Sequence, residues 1–148
     1  MSADLDKIRN CLLTEPLDGD FVQEDGGEGL PLTPAAVLFP IVLRDGGETV
    51  LLIGFLPVYR TGTGFRVTPV VALVRPPFQL DPDEFEVAEV FEVPLAFLLD
   101  PENHKRHSLH YRGALRHFFA MPYGDYFIWG ATAGMIRSLT ERLGTLSI

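Results

Sequence analysis

The 148-residue chain is 47% hydrophobic, which is length and apolar content enough for one domain with a real core. Twelve Lys and Arg against twenty Asp and Glu leave a formal net charge of -8, which disfavours nonspecific association with nucleic acid or an anionic membrane, although a local basic patch can still grip a phosphate. The single cysteine, Cys11, excludes an internal disulfide and a cysteine zinc cluster and fits a reducing cytoplasm.

Leu5, Ile8, Leu12 and Leu13 recur at helical spacing behind Ser2, a candidate N-cap, and predict a short amphipathic helix that Pro16 ends. Residues 18–34 are rich in Gly, Asp and Glu and read as a flexible connector. Residues 1–34 therefore precede one domain over 35–148, with no second domain. Residues 35–43 (AAVLFPIVL) predict a strand buried on both faces, and an Asp-Gly-Gly turn within 44–48 leads into 49–58 as a hairpin or tight strand pair. A Gly-rich turn at 59–64 precedes a strand over 65–75, which Pro76 and Pro77 break. Residues 86–93 have strand composition again, and 94–99 form a short helical turn. Two further strands, 108–121 and 126–129, are joined by a Pro-Tyr-Gly-Asp turn. Met135, Ile136, Leu139 and Leu143 form the apolar stripe of a last helix from Thr132, with Gly144 placed to cap it. No apolar run approaches the roughly 18 residues a membrane helix needs, so a soluble cytoplasmic protein without a membrane partner is expected.

Few residues in this pattern carry chemistry outright. The acidic run Asp81, Asp83, Glu84, Glu86, Glu89 and Glu92 does not converge on a strand, because Glu84, Glu86 and Glu92 project to one face and Glu89 to the other. A solvated rim is its expected role. His104, His107 and His110 repeat every third residue, but Pro, Asn and Gly around them disfavour the helix that would let them share a metal. With Lys105, Arg106, Arg112, Arg116 and His117 they form a basic lip suited to phosphate, where Arg offers a bidentate fork. Thr61, Gly62, Thr63 and Gly64 offer backbone N–H groups to a phosphate but lack the Lys-Ser/Thr ending of a P-loop. Trp129, with Tyr126 and Phe127, reads as core before it reads as an adenine platform. Nothing near Cys11 in sequence activates its thiol, and no serine sits in a Gly-x-Ser-x-Gly elbow.

Four runs, residues 35–43, 63–71 (TGFRVTPVV), 86–95 (EVAEVFEVPL) and 121–133 (MPYGDYFIWGATA), resemble in this order the coenzyme A diphosphatase branch of the Nudix hydrolases. The resemblance covers most of the chain after Pro34. It implies an α/β (α+β) fold, a Nudix-like α/β/α sandwich with a mixed β-sheet. It also implies hydrolysis of coenzyme A or its derivatives to adenosine 3',5'-bisphosphate and 4'-phosphopantetheine, with Mg²⁺ or Mn²⁺ held by the paired glutamates of a catalytic helix. Where that family carries Phe-Pro-Gly-Gly and Arg-Glu-x-x-Glu-Glu-x-Gly, residues 49–52 run straight into 53–58, and the sequence contains no Glu-Glu pair. A fold without its catalytic helix and with little or no turnover is therefore expected.

On the same resemblance, Glu86 falls at the first Glu of the family's Glu-Val-x-Glu-Val run and is the candidate catalytic carboxylate. Thr63, Gly64, Arg112 and Arg116 are the candidate substrate-binding residues, and no residue is assigned as a metal ligand. Coenzyme A or another nucleotide diphosphate is the expected small-molecule partner, with no nucleic acid. Two other classes stay open: a non-catalytic nucleotide or acyl-coenzyme A binding module, and a structural dimerisation domain. The second has a physical motive, since loss of a covering helix leaves a sheet face for a second copy.

Overall fold

The computed structural model describes residues 2–16, 21–44 and 49–144. In chain order these form α1 (Ser2–Cys11), β1 (Phe21–Gln23), β2 (Thr33–Val42), β3 (Thr49–Phe55), β4 (Val58–Arg60) and β5 (Phe65–Arg75). They continue as α2 (Leu95–Leu99), a 3-10 turn at Pro101–Asn103, β6 (Lys105–Tyr111), β7 (Ala114–Tyr123), β8 (Tyr126–Trp129) and α3 (Gly130–Arg142). The expected α+β content with a mixed sheet is present.

Strand β5 organises the first sheet. It pairs in parallel with all of β2, from Thr33 opposite Phe65 to Val42 opposite Val74. Its other side pairs antiparallel with β3 and then with β4, and β1 adds in parallel beyond β4. The hairpin expected from 35–43 and 49–58 is thus corrected, because β5 inserts between the two runs. Its alternate residues Val67, Pro69, Val71 and Leu73 all point to one buried face, and a strand this apolar is most stable with a neighbour on each side. The Asp-Gly-Gly turn at 45–47 lies outside the described residues, as do residues 18–20 of the predicted connector.

Three prolines in this sheet are tolerated for reasons of direction. Leu56 N–H donates to Pro69 O, so Pro69 turns its missing donor toward the bend between β3 and β4. Leu43 N–H donates to Val74 O and Thr33 N–H to Gly64 O, which aims odd residues of β2 at β5. Pro34 and Pro40 therefore face the free edge, where no ladder bond is lost. Between Leu52 and Gly54 the register of β3 shifts by a bulge. A Cβ at Gly54 would meet Leu12 Cβ at 2.7 Å, so glycine lets the end of α1 close on the strand. Leu13 and Phe55 then exchange both backbone bonds at 2.9 Å.

The second sheet, β6-β7-β8, is antiparallel. Residues 108–121, expected as one strand, are corrected to parts of two, joined at Arg112 (φ 51) and Gly113 (φ 80). A positive φ at both central positions gives the tight turn whose twist matches a hairpin. Residues 86–93 are not a strand either. Asp83 O accepts from Glu86 N–H and Val87 N–H, and Asp83 Oδ1 accepts from Phe85 N–H, so local turn bonds win where no neighbouring strand offers a ladder.

Helix α3 joins the layers. Leu139 enters the main core with Ile8, Leu12, Ile41, Leu43, Leu56, Val71 and Leu73. Met135 packs with Tyr59 and Val67, and Ala133 and Ile136 pack with Met121 of β7. At its C-terminal end Arg142 Nε donates to Cys11 O at 2.5 Å, where a cation is favourable beside the last carbonyls of α1. Among the described residues no helix is long and apolar enough to cross a membrane.

Tyr59 packs against α3 at Gly134, and any Cβ there would overlap its ring and hydroxyl. Gly134→Ala is expected to lower the unfolding free energy in urea by ~1–3 kcal/mol, with Tyr59→Phe in that background recovering part of the loss. Burial first, and then the carboxylates of Glu24 and Asp25, push the Tyr59 phenol well above its ordinary value of 10.0. The stability that depends on the neutral phenol is complete below that value and is lost as pH rises toward the folded-state pKa. Tyr59→Phe is expected to flatten the alkaline loss of stability and to delete the latest-ionising component of the near-ultraviolet absorbance titration.

Candidate functional site

A cleft of about 360 Å³ opens where the end of β1, strand β7 and helix α3 meet. Its position follows from the elements. The parallel pairing of β1 with β4 carries the chain on to Glu24 and Asp25, and Glu24 N–H donates to Arg60 O at 2.9 Å. Helix α3 supplies Gly134, Arg137 and Glu141 at helical spacing, and β6 and β7 supply Arg106, His117 and Phe119. Arg106 stands opposite Phe119 in the β6-β7 register, so both share the face turned toward α3.

Most polar groups in the cleft are already committed. Glu24 Oε2 accepts from Gly62 N–H at 2.6 Å, and Asp25 Oδ2 accepts from His117 N–H at 2.9 Å. Arg137 pairs with Glu141 at 2.7 Å while its guanidinium sits 4.2 Å above the Phe119 ring. His117 Nδ1 and Ser108 Oγ share a hydrogen bond of 2.9 Å. Arg106 is exposed, and no hydrogen bond or ion pair engages it among the described residues. One wall thus presents two arginines beside an aromatic ring, a surface suited to an anionic group attached to a planar one.

None of the five residues singled out in the sequence as site candidates lines this cleft. Glu86 sits in the turn after Asp83, exposed and away from the cleft lining. Thr63 and Gly64 belong to a closed turn in which Gly64 N–H donates to Thr61 O, Phe65 N–H to Thr61 Oγ1, and the two threonine hydroxyls lie 3.0 Å apart. Arg112 occupies the hairpin turn over the Tyr111 ring. Arg116 spans from Tyr111 to the backbone around Asp25 O, where the missing side chain of Gly26 leaves room for its guanidinium.

Of the basic lip, only Arg106 and His117 face the cleft. Glu24, Asp25, Tyr59, Phe119, Gly134 and Arg137 escape sequence reasoning, because they come from a connector, two separate strands and a helix that only the fold brings together.

The acidic run does not fit a Mg²⁺ or Mn²⁺ ion. Glu89 Oε1 accepts from the Tyr126 hydroxyl at 2.7 Å, Glu92 pairs with Arg44, and Asp83 caps its own turn. Among the described residues no three His, Cys, Asp or Glu side chains gather as a metal would need. The bond to Glu89 raises the Tyr126 pKa by holding its proton. His104 Nε2 bonds Leu98 O at 2.8 Å, while His107 and His110 lie on opposite faces of β6. Burial pushes the Cys11 thiol up, away from thiolate chemistry.

No protein-family model matches the chain. Curated relatives do. The chain is 42% identical over 116 residues to an uncharacterized Nudix hydrolase NudL of Cronobacter sakazakii, covering 74% of this chain and 60% of that protein. A Klebsiella pneumoniae protein of the same name is 40% identical over the same extent. An Escherichia coli one is 39% identical over 119 residues, covering 76% of this chain and 62% of its own length. The chain therefore spans about 60% of the length of these relatives. Identity of this order across three quarters of the chain makes these proteins, named Nudix hydrolases, its homologues over that extent.

Proposed function

We propose that this chain is a Nudix-derived relative of the coenzyme A diphosphatases that binds coenzyme A or another nucleotide diphosphate in the cleft and has little or no hydrolytic turnover. The observation that carries the binding half is the gathering of Arg106, Arg137 and Phe119 on the cleft lining. The arginines answer a diphosphate and the ring answers an adenine. The catalytic half rests on the donor set. Diphosphate hydrolysis needs carboxylates converging on a metal and an activated water, whereas Glu89 and Glu92 are tied to Tyr126 and Arg44, and Glu86 stands alone.

Calorimetric titration with coenzyme A tests the binding half. Saturable binding that weakens as salt rises is expected, with Arg106→Ala losing about tenfold or more in affinity through one charge-assisted contact. Chromatography of coenzyme A incubated with the protein and Mg²⁺ or Mn²⁺ is expected to show no adenosine 3',5'-bisphosphate. Turnover near that of an intact diphosphatase defeats the catalytic half, and absent binding at millimolar ligand defeats the other.

The dimerisation reading has its own support in the β2-β5-β3 face that points away from the core. Leu38 and Leu52, each 54% exposed, flank Val70 and Ala72 there. Light scattering is expected to show self-association that Leu38→Glu with Leu52→Glu abolishes, and a wild-type monomer at high concentration removes this reading.

A further inference from the structure

We propose that the outer face of the β6-β7-β8 sheet is a binding platform for single-stranded nucleic acid. The sheet has one face on α3, through Met121, Phe119 and Ile128. The other carries a connected set of rings. His107 stacks on Phe118 with centroids 5.6 Å apart, meets Phe127 edge-on at 5.6 Å, and Phe118 meets Trp129 at 5.5 Å. These aromatics lie in the open: Trp129 is 54% exposed and Phe127 50%. Tyr111, also exposed, continues the same face toward the hairpin tip, because it and His107 share the alternation of β6.

Charge on this face selects the partner. Residues 103–124 contain no Asp or Glu, in a chain whose net charge is -8. Lys105 stands in register with Ala120 and Trp129 at one end of the platform. Arg116 lies beside Tyr111 at the other, its guanidinium also donating to Asp25 O. Rings spread across three strands with a cation at each end match successive bases stacked above a flanking phosphate backbone. A mononucleotide covers one ring and leaves the rest bare, so a short single strand is the occupant that uses the whole face. The acidic remainder of the molecule opposes long-range attraction, so binding is expected to be strongest at low salt and to fall steeply as salt rises.

The chain has one tryptophan, so quenching of Trp129 fluorescence reports stacking on the platform directly. Titration of the full chain with a short oligothymidylate at low salt is expected to quench it saturably. Phe127→Ala and Lys105→Glu, both at exposed positions, are each expected to weaken binding about tenfold while far-ultraviolet circular dichroism stays that of the wild type. Arg106→Ala faces the cleft and is expected to leave the quench unchanged, which separates this platform from the coenzyme A site. No quench at low salt, or full affinity in both platform variants, overturns the proposal. Equal affinity for thymidine monophosphate overturns it in favour of a mononucleotide, and a dimer dissociated by Phe127→Ala overturns it in favour of a second copy.

Discussion

The wedge of α3 between two sheets is the constraint on which the rest depends. A helix this short usually buries one stripe, yet Ala133, Gly134, Met135, Ile136, Ser138, Leu139 and Thr140 are all buried. Buried hydroxyls are expensive unless bonded, and the Thr140 hydroxyl donates to Ile136 O at 3.1 Å. Leu139, Met135 and Ile136 each belong to a different apolar cluster. The helix thereby fixes the distance between the sheets, and that distance sets the width of the cleft.

Strand alternation then divides one basic segment between two environments. Arg106 and His117 face α3 and the cleft, while Lys105, His107 and Arg116 face outward and Phe118, which shares their alternation, also lines the cleft. A segment that reads in sequence as a single phosphate-binding lip is two surfaces back to back, one concave and small, one flat and aromatic.

What the sequence disclosed depended on how local the cause was. The stripe of Leu5, Ile8 and Leu12 predicts α1, and that of Met135, Ile136 and Leu139 predicts α3, because 3.6-residue periodicity is written within each segment. The Arg112-Gly113 turn was hidden because arginine is uncommon at positive φ, so residues 108–121 read as one strand. The central place of β5 was also hidden, since pairing order is decided by contacts between distant segments. The cleft was the least legible. Glu24 and Asp25 sit in a glycine-rich stretch that looks like connector, and only the short pairing of β1 with β4 brings Glu24 to Gly62 and Asp25 to His117.

The outward-facing prolines of β2 have a consequence for the life of the protein in a crowded cell. Pro34 and Pro40 leave N–H donors at Ala36, Leu38 and Val42 along ten residues of open strand, so an incoming extended segment finds its ladder interrupted at both ends of a short run. Fibrillar growth by strand accretion is starved of a template even though the neighbouring side chains are greasy. A protein with this edge can keep an oily sheet surface through synthesis and turnover without seeding amyloid.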